Sequence, residues 1–408
     1  RLFAELERRG HELSLELDIN DEVTREAVAA FEPELVLAPF LKRAIPEDVW
    51  RGRPCLIVHP GPPGDRGPSA LDWAVQEGAD RWGVTVLQAE AEMDAGPVWA
   101  WAEFPMQEAS KGSLYRNEVT EAAVEAVLRA LEREAGGDHV PTRPETLDTE
   151  ATKGWRPLMR QADRAIRWDT DDTETVLRKI RAADGHPGVR DEVAGVPVRL
   201  FDPHREGALR GKPKALLARR HGAVCLATLD GAVWIGRLKP AGEDAAAGFK
   251  RPAVEVLGSL ALDLPEVEPP PLEEGGAAPT FRDIAYRETG DVGYLYFPFH
   301  NGAMGVPECE RLLAAYREAL ARPTRVLVLM GGPDFWSNGL DLKRIEASAS
   351  PADESWHNIQ SMNDLVRAIL TTDDRLTVAA LRGNAGAGGV FLALAADRVV
   401  ARSGVVLN

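Results

Sequence analysis

The chain reads as a multidomain α/β protein, and three patterns predict it. Over the first sixty residues helical and strand-like segments alternate, which predicts a mostly parallel, doubly wound sheet with its ligand at the carboxyl ends of the strands. Between Val196 and Leu238 short strand candidates with hairpin signals predict a small β-barrel-like module. Beyond Pro279 a hairpin, a helix and a strongly apolar strand open another α/β domain. A length of 408 residues allows two to four domains with well-buried cores.

Leu2 to Arg9 is a short amphipathic helix stopped by Gly10. His11 to Leu17 alternates like a strand, Glu22 to Phe31 is helical, and Leu35 to Ala38 is a short buried strand. Cys55 to Val98 carries the densest chemistry. Leu56, Ile57 and Val58 deliver His59 to a Pro- and Gly-rich loop; a helix-like segment, a strand over Gly83–Gln88 and Asp94 in Met-Asp-Ala-Gly-Pro follow. Gly112 to Glu134 is a long helix, and a Pro-, Gly- and Thr-punctuated connection leads into the next domain. There Asp171 to Ala183 is helical with Asp171, Asp172 or Thr173 as its cap. Strands are expected at Val196–Phe201, Ala215–Ala218, Ala223–Thr228 and Ala232–Leu238. Leu262 to Pro279 has three consecutive prolines and no periodicity, the composition of a linker. Phe281–Glu288 and Gly293–Phe299 form a hairpin, Glu308 to Ala321 a helix and Arg325–Met330 a buried strand. The expected division is 1–150, 151–258, a linker at 259–280, and 281–408. An opening helix with no preceding strand or initiator Met, and an end at ARSGVVLN in mid-pattern, lead us to expect a fragment lacking the first strand of one domain and the second half of another.

Composition narrows the function. A net charge of -16 argues against non-specific binding to nucleic acid or anionic membranes. Six basic residues do cluster at Arg205, Arg210, Lys212, Lys214, Arg219 and Arg220, but with few aromatics, which favours a solvated face over an RNA surface. Three scattered cysteines, Cys55, Cys225 and Cys309, give neither metal spacing nor a disulfide framework and suit the cytoplasm. No metal site is expected, and no apolar run approaches the ~20 residues of a membrane span.

His59 and Asp94 could meet as a carbonyl-polarising acid and its supporting carboxylate. Each alone is as readily a loop residue, since Asp-Ala-Gly is good turn chemistry. Together with Arg66-Gly67, Trp73-Ala74-Val75 and Gly83-Val84-Thr85, the segments His59-Pro60 and Asp94-Ala95-Gly96 resemble, in order, the folate-dependent formyltransferases. The resemblance covers about residues 1–257. It implies a Rossmann-like folate-binding domain and a carboxy-terminal β module, with Trp168 and Pro187-Gly188 in the second. It further implies His59 and Asp94 as catalytic residues, Phe40, Leu41, Lys42 and Arg66 as folate-binding residues, and 10-formyltetrahydrofolate as donor. On this reading His59 donates to the formyl oxygen while Asp94 orients it and relays the proton. One position departs: the family's Asn, two before the His, is Ile57 here. An amide donor to a developing oxyanion is worth about 2.7–4 kcal/mol, so its loss points to a more nucleophilic acceptor such as a thiol.

Phe335-Trp336-Ser337-Asn338-Gly339-Leu340-Asp341-Leu342 and Gly383-Asn384-Ala385-Gly386-Ala387-Gly388-Gly389 each follow a strand. Such turns can converge backbone N–H groups on one spot, although glycines also simply permit close packing. Together they resemble the crotonase (enoyl-CoA hydratase/isomerase) superfamily over residues 281–408, about the first half of such a domain. The resemblance implies an oxyanion hole from the N–H groups of Asn338 and Gly388. The hydratases' first catalytic Glu falls on Phe391, so ordinary hydration is not expected.

A formyltransferase part followed by a crotonase part resembles a family of hydrogenase maturation proteins. That implies formyl transfer from 10-formyltetrahydrofolate to coenzyme A, decarbonylation of formyl-CoA to the CO ligand of [NiFe]-hydrogenase, and other maturation proteins as partners. Arg116 is a candidate contact for a CoA phosphate, or a solvated helix residue. Three alternatives stand: an amine acceptor, hydrolysis of formyltetrahydrofolate, and a non-catalytic CoA-binding scaffold.

Overall fold

The structure, a computed structural model, describes every residue except 42, 138–139, 148–153, 242–247, 270–271 and 273–277. Its contacts divide into two units, Arg1–Arg164 with Arg181–Pro187, and Ala165–Ile180 with Gly188–Asn408.

The first unit opens with helices α1 (Leu2–Arg8) and α2 (Asp21–Phe31), the latter capped by the Asn20 side chain, which accepts the Val23 N–H at 2.9 Å. The strand expected at His11–Leu17 does not form. Its leucines Leu15 and Leu17 are 76% and 72% exposed, because among the described residues no strand pairs with this segment to bury an alternating face. The sheet is built from β1 (Val36–Pro39), β2 (Cys55–His59), β4 (Arg81–Gln88) and β5 (Val98–Pro105), in the order β1-β2-β4-β5. Helix α3 (Glu47–Gly52) joins the first two strands; the short β3 (Asp65–Arg66) and α4 (Ala70–Glu77) lie between β2 and β4. Only β1 and β2 are parallel, so the expectation of a mostly parallel sheet is corrected. The missed element is β5: its VWAWAEFP alternates buried and exposed, and as the next strand after β4 it returns antiparallel. Helix α5 (Lys111–Leu114), a π-helical turn at Tyr115–Val119 and α6 (Thr120–Ala135) cover one face. The buried stripe of α6 (Ala122, Ala123, Ala126, Val127, Ala130) packs with Val84, Val86, Ala100 and Ala102 in one core.

The chain then doubles back. β6 (Gly154–Trp155) pairs with β3, and the strap that follows, ending in α7 (Gln161–Arg164), is held by one helix. The Ser69 hydroxyl accepts the Met159 N–H at 3.0 Å, Trp73 Nε1–H donates to the Pro157 carbonyl at 3.0 Å, and Gln76 donates to the Asp163 carbonyl at 2.8 Å. Asp72, buried, accepts from Lys111 Nζ at 2.8 Å and from the Arg164 guanidinium. The first unit therefore runs on to Arg164, past the boundary expected at 150.

Helix α8 (Thr173–Ala183), which starts in the second unit, is capped by Asp172, which accepts the Thr175 N–H at 2.7 Å; the rest of that unit begins at Gly188. An antiparallel sheet follows, β7 (Val189–Val193), β8 (Val196–Glu206), β9 (Leu216–Arg220), β10 (Ala223–Ala227), β11 (Ala232–Pro240) and β12 (Arg251–Pro252), ordered β7-β8-β11-β10-β9 with β12 on β11. The expected strands and the Asp230-Gly231 turn are present; β7 and β12 are additional. Helices α9 (Ala253–Leu257) and α10 (Ser259–Leu262) come next. The segment expected to be a linker is held to this module near both its ends, while its Leu272 carbonyl accepts the Tyr286 N–H of the following strand at 2.8 Å. Val267 N–H bonds the Arg219 carbonyl at 3.0 Å and Gly207 N–H the Pro279 carbonyl at 2.7 Å.

The rest is a largely parallel sheet. Strands β13 (Ala285–Thr289) and β14 (Val292–Tyr296) form the expected hairpin; β15 (Ala303–Met304), α11 (Val306–Leu320) and β16 (Val326–Met330) follow. Then come β17 (Phe335–Ser337), β18 (Gly339–Leu340), α12 (Leu342–Ala347), α13 (Pro351–Leu370), β19 (Leu376–Leu381), β20 (Asn384–Ala385), α14 (Gly388–Leu394) and β21 (Arg398–Ala401). The main sheet is ordered β13-β14-β16-β19-β21, so both Gly-containing turns leave the carboxyl ends of adjacent strands, β16 and β19. Among the described residues no helix is long and apolar enough to cross a membrane.

Replacing Asp72 by Ala strips two cations of their buried partner, Arg164 with a side chain 5% exposed and Lys111 14%. The expected cost is about 3–5 kcal/mol, read as a fall in the urea midpoint of the first unit; an unchanged midpoint would show that the strap is held otherwise.

Candidate active site

Strand β2 ends on His59, which lies opposite Thr85 of β4, and the loop after it is tied down residue by residue. Trp82 Nε1–H donates to the Pro60 carbonyl at 2.9 Å, the Thr85 hydroxyl to the Gly61 carbonyl at 2.8 Å, and Asp65 N–H to the Pro62 carbonyl at 3.0 Å. Gly83 leaves room for this: a Cβ there would stand 3.4 Å from Pro62 Cα and 3.1 Å from the Ala102 carbonyl oxygen. The Gly-Val-Thr strand is thus the bed on which the His loop lies. Gly154 N–H and Arg156 N–H close the far side, on the carbonyls of Gly64 and Arg66.

His59 and Asp94 do come together. Because β4 runs antiparallel to β2 and ends beside Leu56, the 89–97 loop runs back along the sheet to bring Asp94 to His59. Asp94 adopts a left-handed backbone (φ 55°), and Gly96 packs so closely on Gln88 that a Cβ would meet its carbonyl oxygen at 1.8 Å. His59 Nδ1 lies 3.6 Å from Asp94 Oδ2, which itself accepts the Gly67 N–H at 3.1 Å. The shorter contact is one that sequence reasoning missed: His59 Nε2 is 2.9 Å from Asp65 Oδ2. His59 is 4% exposed, Asp65 1% and Asp94 9%. Asp65 opens the short β3, but in sequence Gly64-Asp65-Arg66-Gly67 reads as ordinary turn chemistry, so nothing in the pattern sets it apart. The ring therefore presents each nitrogen to a carboxylate. Such an arrangement can take a proton on one side and stabilise the resulting imidazolium on both.

The other candidates separate. Phe40, with a left-handed backbone (φ 55°), follows β1 directly; its N–H bonds the Val58 carbonyl and its ring stands edge-on to Tyr115, centroids 5.6 Å apart. Leu41 packs against the apolar cluster around Ala38, Ile45 and Val49, and Lys42 lies outside the described residues. The Arg66 guanidinium is taken up by Glu92 at 2.7 Å and Glu145 at 3.8 Å. Trp73 holds the strap through its indole N–H. Arg116 is exposed on the π-helical turn, the kind of irregularity often found at functional sites. Ile57, two residues before His59 and on the same face of β2, packs into the Leu41 cluster and offers no polar atom.

In the second unit the two Gly-containing turns meet. A Cβ on Gly339 would stand 2.7 Å from the Gly388 nitrogen, one on Gly389 2.1 Å from the Ser337 carbonyl oxygen, and Gly386 N–H donates to that same carbonyl at 2.9 Å. The expected donor Asn338 is corrected. Its N–H is spent on the Gly302 carbonyl at 2.7 Å, and its side-chain amide on the Asn301 carbonyl at 2.7 Å. On the paired strands Asp341 N–H bonds the Met304 carbonyl, which leaves the N–H of Leu340 facing away from β15. Among the described residues none accepts from Gly388 N–H. Phe391, where a hydratase has its Glu, is 70% exposed on α14. No three His, Cys, Asp or Glu side chains among the described residues are placed to share a metal.

The formyl transferase family matches residues 12–131, its carboxy-terminal domain family residues 158–249, and the enoyl-CoA hydratase/isomerase family residues 306–405. The hydrogenase maturation factor HoxX of Bradyrhizobium diazoefficiens is 55% identical over 409 residues, an alignment that covers 100% of this chain and 70% of that protein. The crystal structure of HypX from Aquifex aeolicus in complex with tetrahydrofolic acid superposes with a TM-score of 0.92 at 48% identity, over 100% of this chain and 70% of that one. A methionyl-tRNA formyltransferase of Syntrophus aciditrophicus is 23% identical over 186 residues, 45% of this chain and 58% of that protein.

The protein's own thiols take no part in such a site. Burial pushes Cys55 up to about 11, and Cys225 and Cys309 up to about 12. At pH 8 a thiol-disulfide reagent is expected to leave all three unreacted in the native protein and to titrate three after denaturation; fast native reaction would show an accessible thiol.

Proposed function

Since the chain belongs to the HypX/HoxX family of hydrogenase maturation factors, we propose that it passes a formyl group from 10-formyltetrahydrofolate to coenzyme A and then releases CO from formyl-CoA. The observation that carries the reading is the joining, in one chain, of a buried His59 between carboxylates to a pair of glycine turns meeting at Gly339 and Gly388. The first arrangement suits proton transfer at a carbonyl; the second suits a thioester oxygen. A formyl thioester is the chemical link between them.

The residues at the first site fit a flat heterocyclic donor. Phe40 and Leu41 supply apolar surface at the carboxyl end of β1, next to the strand that ends on His59. Arg66, paired with Glu92 and Glu145, serves the loop and is not reserved for the donor. The donor supplies the formyl group; His59 handles the proton that the acceptor loses and the folate nitrogen gains. Ile57 supports the choice of a thiol acceptor. Without an amide the site gives up a donor worth about 2.7–4 kcal/mol, and a sulfur nucleophile needs that help less than an amine does.

At the second site the N–H groups of Leu340 and Gly388 would polarise the thioester oxygen. Decarbonylation breaks the C–S and C–H bonds and returns the proton to sulfur, so it needs no water and no glutamate at position 391. The intact protein, given carbon-labelled 10-formyltetrahydrofolate and CoA, is expected to release labelled CO. Labelled formate would instead make it a hydrolase, a formylated amine would restore the amine acceptor, and no turnover would leave a scaffold. His59→Ala is expected to slow formyl transfer about 10²–10⁴-fold without loss of folding; transfer at the unmodified rate would remove His59 from the reaction.

A further inference from the structure

Asp65 is 1% exposed, and its two oxygens have different fates. Oδ2 meets His59 Nε2 at 2.9 Å, whereas Oδ1 is buried with no hydrogen-bond partner among the described residues. A buried carboxylate with one oxygen unpartnered is costly, and the turn does not require it: the backbone bond from Asp65 N–H to the Pro62 carbonyl would serve any residue. The pair also constrains its neighbour. A Cβ on Gly61 would lie 2.4 Å from Asp65 Oδ2 and 2.6 Å from His59 Nε2, between the two groups. Gly61 is the residue that lets the carboxylate reach the ring.

We propose that Asp65 is the positioning carboxylate of His59: it accepts the Nε2–H, fixes the tautomer, and leaves Nδ1, on the Asp94 side, as the nitrogen that carries the proton. The inference rests on His59 being the proton carrier of formyl transfer. It reverses the arrangement in which Asp94 orients the ring, because Asp94 Oδ2 stands 3.6 Å from Nδ1 and spends its hydrogen bond on Gly67. Asp94 is also the more exposed of the two carboxylates, so the Nδ1 edge is the one that substrate can approach.

The step then balances without another reagent. As the acceptor's sulfur forms its bond to the formyl carbon, the S–H proton passes to Nδ1. The ring becomes an imidazolium between Asp65 and Asp94. As the bond from the formyl carbon to the folate nitrogen breaks, Nδ1 returns the same proton to that nitrogen, and His59 ends as it began.

Two measurements test this. With nitrogen-15-labelled histidine in the otherwise unmodified protein, and His59→Gln to assign the signal, His59 is expected as the Nε2–H tautomer with an unprotonated Nδ1. The Nδ1–H tautomer would overturn the proposal, whatever the acceptor proves to be, since no turnover is involved. In Asp65→Asn the amide can donate to Nε2 and force the opposite tautomer. Its kcat is expected to fall about 10²–10⁴-fold with tetrahydrofolate binding unchanged, Asp65→Glu recovering part of the loss and Gly61→Ala reproducing it. An Asp65→Asn protein that binds folate and turns over at the unmodified rate would equally overturn it.

Discussion

Burying Asp65 against His59 sets the terms for the rest of the first unit. An isolated carboxylate in a water-poor interior costs several kcal/mol, and a single hydrogen bond to an imidazole does not offset that unless the pair is held in place. The holding is visible in the backbone. Pro60, Gly61, Pro62 and Gly64 each have their carbonyl engaged, by Trp82, Thr85, Asp65 and Gly154 respectively. Three of those partners come from outside the loop, so it has little freedom to turn Asp65 toward water.

The strap over residues 154–164 completes this enclosure, and it explains the sequence of α4. Ser69, Asp72, Trp73 and Gln76 all reach toward the strap, while Ala70, Leu71, Ala74 and Val75 are buried. The helix therefore has two working faces. The strap in turn supplies the partners for Gly64 and Arg66, and it lies so close to Gly67 (φ 113°) that a Cβ there would stand 2.0 Å from the Arg156 carbonyl oxygen. Gly67 N–H is the group that holds Asp94. The chain of dependence thus runs from α4 through the strap and the Gly67 turn to Asp94, and Trp73 acts on the site at that remove.

What the sequence made legible were residues whose spacing is tied to element type. His59 at the end of an apolar strand, the Gly-Val-Thr strand, the Asp230-Gly231 hairpin and the glycine turns after β16 and β19 all stand where periodicity placed them. The failures share a cause: each depends on a partner distant in the chain. The His11–Leu17 alternation is a good strand pattern with no described strand paired to it. Asp65 looks like any turn Asp until Gly61 and His59 are placed around it. Asn338 stands out by its position in a motif, and only the approach of Gly302 shows its N–H to be spent. Cross-chain hydrogen bonding, which no local pattern encodes, decided all three.

The β module of the second unit invites an RNA-binding reading by its basic residues, but their partners argue for another role. Arg205 pairs with Glu174, Lys214 with Asp191 and Arg219 with Glu266; Arg210 caps its own turn's carbonyls. Arg220 is buried and reaches Thr280 and the Phe281 carbonyl, and Glu206, buried beside it, accepts from Trp234, Thr280 and two backbone N–H groups. Burial works against that carboxylate's charge, yet the hydrogen bonds from Thr280, Ala208, Trp234 and Leu209 hold it below the usual range. Those contacts fasten the entry to the last domain onto the module. Farther along, Arg237 of β11 lies 4.0 Å from Asp341, the cap of α12, and Arg344 of α12 pairs with Glu255 of α9 at 3.1 Å. Asp341 directly follows Leu340. These cations of the basic cluster are therefore paired within the module or with the segment that leaves it, and Arg237 and Glu255 reach toward the residues that follow Leu340, which leaves few cations to meet phosphates and gives the module a structural reason to sit in this chain.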